Sequence, residues 1–141
     1  MKIKSFKFIG QILTVGSILA VSALPERAAA QAMSPMRGQV KSFTDFFALR
    51  VYPANPYSHR VRMEVKVYDQ DFRPVRARVS PSQFTLGGRL ARPVSVIVPF
   101  AGTKNRKVRV CTEAIPFPTQ QKSATTIRAQ VCGKFLGVRV N

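Results

Sequence analysis

The chain has 141 residues, room for one domain of ordinary size or two very small ones. Hydrophobic residues make up 45% of it, near the globular average, which excludes wholesale disorder. With 23 Lys and Arg against 6 Asp and Glu the formal charge is +17, so long-range attraction acts on anions.

Lys2, Lys4 and Lys7 precede an apolar run from Phe8 to Leu24 that ends at Pro25. The run is 17 residues long, short for a membrane span, and Ala30-Gln31-Ala32 fits the small-residue rule for leader cleavage. The pattern predicts a signal peptide over 1–32, with a retained N-terminal anchor as the alternative, and a mature domain over 33–141. The leader holds four cations (Lys2, Lys4, Lys7, Arg27) and one acid (Glu26), so +14 of the +17 stays with the mature domain. The expected destination is an oxidising compartment outside the cytoplasm.

Beyond residue 33 the hydrophobic period is two. Pro35 to Val40 is expected to add a seventh strand to six clearer ones. Phe47-Leu49-Val51 runs up to a turn at Pro53-Ala54-Asn55-Pro56, and Val61, Met63, Val65 and Val67 share one face of the next strand. Val75-Ala77-Val79 stops at Ser80-Pro81. Gln83 to Leu86 reads as a short strand or a loop plug, because Gly87-Gly88 follows at once. Val94-Val96-Val98, Val108-Val110 running on to Ala114, and Ile127-Ala129-Val131 continuing to Phe135 complete the series. Short alternating strands with turn signals between them predict an all-β fold, an antiparallel β-sandwich or barrel. No segment after residue 33 offers an amphipathic helix. The prolines fall mostly at strand ends, where a missing N–H does not interrupt a ladder.

Cys111 alternates with Arg109 and Glu113, and Cys132 with Gln130 and Lys134, which puts both thiols on the polar face of their strands. Export favours a Cys111–Cys132 disulfide, which two strands paired as a hairpin would bring into range. Two free buried thiols, or half of a metal site, are the competing readings. A metal site needs more ligands than the single His59 supplies, and there is no Cys-x-x-Cys. No cofactor and no metal is expected.

If the cysteines oppose each other, the same register sets Arg109 opposite Lys134. Facing cations are unfavourable in a sheet unless their side chains splay into water or an anion lies between them. Arg and Lys are otherwise spread over every strand, as in Arg60-Arg62 and Arg73-Arg76-Arg78, a surface open to salt-dependent polyanion contacts without nucleic-acid specificity. Behind a leader such polyanions are envelope lipid, polysaccharide or acidic protein. Catalysis finds no support in one His and five mature acids without a nucleophile and base at recognisable spacing. Asp69 and Asp71 read as a capped turn before a calcium site.

The order of motifs resembles the N-terminal immunoglobulin-like domain of the periplasmic pilus (PapD-like) chaperones. The residues that carry the likeness are a strand ending in Asn55, the alternating strand Val61 to Tyr68, and Val79-Ser80-Pro81-Ser82-Gln83-Phe84-Thr85-Leu86 before glycines. Pro93 to Pro99, Arg109-Val110-Cys111-Thr112-Glu113-Ala114-Ile115-Pro116 and a closing basic strand follow. The likeness covers roughly residues 46 to 141, and Glu113-Ala114-Ile115-Pro116 is its most specific piece. It implies a periplasmic, seven-stranded immunoglobulin-like β-sandwich, a binding module that acts by β-augmentation: the last strand completes an immunoglobulin-like pilus subunit, or another envelope protein, that lacks one. Val131 and Phe135 would be the donated side chains, with Ile127 and Ala129 nearer the loop. Arg37 and Lys134 fall near the family's carboxylate anchors, and Arg109 joins them through the register above. The family continues into a second domain where this chain reaches Asn141, so no interdomain cleft is expected within one molecule.

Overall fold

A computed structural model describes residues 32–115, 117 and 130–140, all of them in strands, turns or irregular backbone. The expected leader, and with it the cleavage question, lies outside the described residues, as do Ile127 and Ala129. The strands are β1 (Ala32–Ser34), β2 (Arg37–Ser42), β3 (Phe46–Ala54), β4 (Val61–Tyr68), β5 (Arg78–Ser80), β6 (Gln83–Leu86), β7 (Val94–Pro99), β8 (Asn105–Ile115) and β9 (Gln130–Arg139). They form two sheets, β1-β3-β7-β5 and β2-β9-β8-β4-β6. Every pairing is antiparallel except β2 with β9, which is parallel.

Period-two hydrophobicity builds the core directly. Val61, Met63, Val65 and Val67 of β4 are buried while Arg62 and Lys66 face water, and Val94, Val96 and Val98 of β7 close the core from the other sheet. Phe47 and Phe100 meet at a centroid distance of 5.1 Å near one end of the sandwich. On β9 the inward positions are Gly133, Phe135 and Gly137, large between small. A Cβ on Gly137 would overlap the Phe47 ring, and one on Gly133 would lie 2.8 Å from Met33 and from the Phe135 ring. The glycines make room for those larger neighbours.

Several details depart from the sequence pattern. The strand expected over Pro35 to Val40 is β2, shifted to Arg37–Ser42 and paired with β9, and a short strand not expected, β1, precedes it and pairs with β3 in the other sheet. Val75, Ala77 and Val79 do pack on the core, but only Arg78–Ser80 pairs with β7, while the Val75 N–H bonds the Val67 carbonyl of the opposite sheet. Alternation shows which side chains face inward and is silent on which strand lies alongside. Gln83–Leu86 is a true edge strand, with Val61 opposite Leu86 and Met63 opposite Phe84.

Asn55, at the end of β3, is 2% exposed and is the polar knot of this end of the fold. Its side-chain amide donates to the carbonyls of His59 (2.7 Å), Leu86 (3.2 Å) and Gly87 (3.0 Å), and its Oδ1 accepts the Tyr57 N–H at 2.9 Å. A buried amide so fully used ties the β3–β4 turn to the end of β6.

Candidate functional site: the β9 edge and its cationic row

Strand β9 lies between β8 and β2, and its register decides everything around it. Cys111 stands opposite Cys132 and the two are bonded, with a Cα–Cα distance of 4.0 Å. By the alternation of β8 the cysteine is on the outer face, with Val110 and Thr112 on the inner one. It is nevertheless 1% exposed, because Cys132 flanks it on one side and Lys66 on the other.

One step along the same face, Arg109 is opposite Lys134, and Lys134 is in turn opposite Arg37 across the parallel β2–β9 pairing. Three cations thus form a row across three strands, about 4.8 Å apart from strand to strand. Lys107, two residues from Arg109, shares its face. The cleft over this row has a volume of about 520 Å³, and its lining includes Arg37, Lys107, Arg109, Lys134 and Gln70 but no Asp or Glu. Arg109 is held in place: its guanidinium lies 4.6 Å from the Phe72 ring centroid, and its Nε donates to the Gln70 carbonyl at 3.3 Å. The turn that carries Phe72 and Gln70 is capped by Asp69, whose Oδ1 accepts the N–H groups of Asp71 (2.8 Å) and Arg73 (2.9 Å). Phe72 itself takes a left-handed φ of 59°.

The acids of this face sit further along β4 and β8. Glu64 faces Glu113 in the register, and the Lys66 ammonium lies 2.8 Å from Glu64. The hydrogen bond to Glu64 raises the Lys66 pKa above its ordinary value. Among the described residues there is no cluster of three His, Cys, Asp or Glu able to hold a metal.

The other feature is the strand's own backbone. β2 covers β9 only from Lys134 to Arg139, so along Gln130–Cys132 no described strand lies on that side. The Lys134 N–H donates to Met36 and the Arg139 N–H to Lys104, which shows that even-numbered residues of β9 aim their backbone groups toward β2 and odd-numbered ones toward β8. The N–H and C=O of Gln130 and Cys132 therefore face the open edge. Phe135, expected among the donated side chains, is 4% exposed in this domain's own core, and Val131 packs against that core. The same inward parity that marks them as apolar turns Phe135 into this sandwich.

The sequence brought Arg109 and Lys134 together through the cysteine register. The family likeness named Arg37 as an anchor beside Lys134, but not the parallel β2–β9 pairing that makes them neighbours, and Lys107 was left out of the site although period-two counting from Arg109 finds it. The open backbone edge has no side-chain signature.

No protein-family model matches the chain, and none of the curated proteins does. Solved structures do match. The chaperone DraB of E. coli aligns with a TM-score of 0.60 at 15% identity over 77% of this chain and 54% of its own. The periplasmic chaperone SfaE aligns at 0.63 and 13% over 79% and 59%. The SafB chaperone complex with the SafA pilin, from Salmonella enterica, gives 0.63 and 19% over 78% and 54%.

The fold is that of a PapD-like chaperone domain.

At these identities the likeness is one of fold. A PapD-like sandwich is also shared by WR4, a C. elegans MSP family member, at a TM-score of 0.53 and 8% identity over 99% of that chain. The present chain spans between 54% and 59% of the length of the three chaperone structures above. Function must therefore be argued from the site that this PapD-like fold carries.

Proposed function

We propose that the chain is a periplasmic, chaperone-like binding module that captures strand-deficient envelope proteins, pilus subunits foremost, by accepting a partner strand at β9. The single observation that supports this most is the junction between the open edge and the cationic row. A partner strand added along Gln130–Cys132, parallel to β9, points its C-terminus at the start of β2. There Met36 and Arg37 occupy the edge, so the partner strand must end, and its terminal carboxylate arrives between Arg37 and Lys134. Backbone groups supply the ladder and the paired cations fix where it stops. Val131, with Ile127 and Ala129 ahead of it, would line the joint on the apolar side.

The neighbours' own contexts agree at this level: SafB is seen with the SafA pilin, and CsuC with the CsuE tip adhesin. The test is Gln130→Pro. This substitution removes an N–H that faces the open edge and spares the β8 ladder, so the fold should survive while capture of a purified strand-deficient subunit falls at least tenfold by surface plasmon resonance. Undiminished capture by the folded variant would refute the edge. Polyanion binding through the general positive surface is separable by salt: it collapses between low and moderate ionic strength, whereas strand capture largely persists.

A further inference from the structure

A single carboxylate has two oxygens and is satisfied by two adjacent cations, but this row holds three, with a fourth beside them. Arg109 is opposite Lys134 on the side away from Arg37, and none of the cleft's lining residues is an acid that would neutralise it. Directly facing like charges disfavour the sheet unless something compensates them. Nor is Arg109 simply splayed into water: Phe72 supports the guanidinium from one side and the Gln70 carbonyl takes its Nε, which holds the charge over the cleft. The arrangement is a preorganised receptor for a second anion one strand spacing from the first.

We infer that the cleft takes two carboxylates from one ligand, the chain end of a partner strand whose last residue is Glu or Asp. The terminal carboxylate sits between Arg37 and Lys134, and the side-chain carboxylate meets Arg109, with Lys107 on the same face of β8 as its second cation. The inference rests on the strand-capture reading for the direction from which the ligand comes, and it adds the identity of the residue that the site prefers.

Three short peptides with a common sequence test it: one ending in Glu, one ending in Gln, and the Glu peptide with its C-terminus amidated. Titrated calorimetrically into the full chain, the Glu-ended peptide should bind about fivefold tighter than the Gln-ended one, the margin of one partly exposed ion pair. Amidation should weaken binding by a similar factor. In Arg109→Gln the Glu-over-Gln margin should vanish while the effect of amidation stays. Lys107→Gln, an exposed change that leaves the Phe72 contact intact, should reduce the margin. Equal affinity for the Glu and Gln peptides, or a margin that survives both variants, would overturn the inference. Free glutarate binding as tightly as the Glu-ended peptide would overturn the chain-end assignment. The short peptides bring no folded subunit, so a chain that shows the margin yet fails to capture a strand-deficient subunit would refute the strand reading and uphold this one.

Discussion

Asn55 shows what one buried polar side chain does in a sandwich this small. Its amide serves three carbonyls and its oxygen one N–H, so Asn55→Ala strands those groups at a site that is 2% exposed. Chemical denaturation should show a loss of about 3 kcal/mol, from unsatisfied buried groups. Thr112 is the converse. It is fully buried, and among the described residues its hydroxyl has no hydrogen-bond partner. Thr112→Val keeps the shape and removes the orphan, so stability should hold or rise by about 1 kcal/mol in the same assay. At this scale the sequence was unevenly readable. The cysteines advertised their pairing through facing and compartment. Asn55 was visible only as a strand end, because two of its four partners, Leu86 and Gly87, lie 31 and 32 residues further along the chain. The alternation says nothing of Gly133 and Gly137, which are the space that Met33, Phe135 and Phe47 fill.

Among elements, the last hairpin governs. The disulfide fixes β8 against β9 in one register, and that register aligns Arg109 with Lys134. Closing a loop of about 20 residues stabilises the fold by about 3 kcal/mol. A Cys111→Ser/Cys132→Ser double variant should lose close to that amount in urea unfolding, and the Gln130 end of β9 should exchange its amide hydrogens fastest. Loss of less than 1 kcal/mol would mean that the ladder alone holds the register. Strand existence was legible because inward and outward positions alternate cleanly along β4 and β7. Partner choice was not. The crossing of β1 and β2 between sheets, the shortening of β5, and the parallel fit of β2 to β9 all depend on contacts between distant segments, to which a period of two is blind.

For the whole molecule, a shared sandwich explains the architecture and leaves the activity open, since the same fold appears in chaperones and in an MSP family protein alike. The proposed role rests on where the charge falls relative to the β9 backbone that no other described strand covers. The acids of the five-stranded face lie along β4 and β8 by Glu64 and Glu113, while the cations of Arg37, Lys134 and Arg109 stand where the open edge of β9 gives way to β2. That juxtaposition, and not the net charge, is the ground on which the strand-capturing role is proposed. Hydrogen exchange followed by NMR on the complex with a strand-deficient subunit tests it most directly. The account predicts that the Gln130 and Cys132 amides, which face the open edge, become strongly protected on binding, while Val131, already bonded to β8, changes little. A bound subunit that leaves the amides of Gln130 and Cys132 exchanging as they do in the free chain would contradict it.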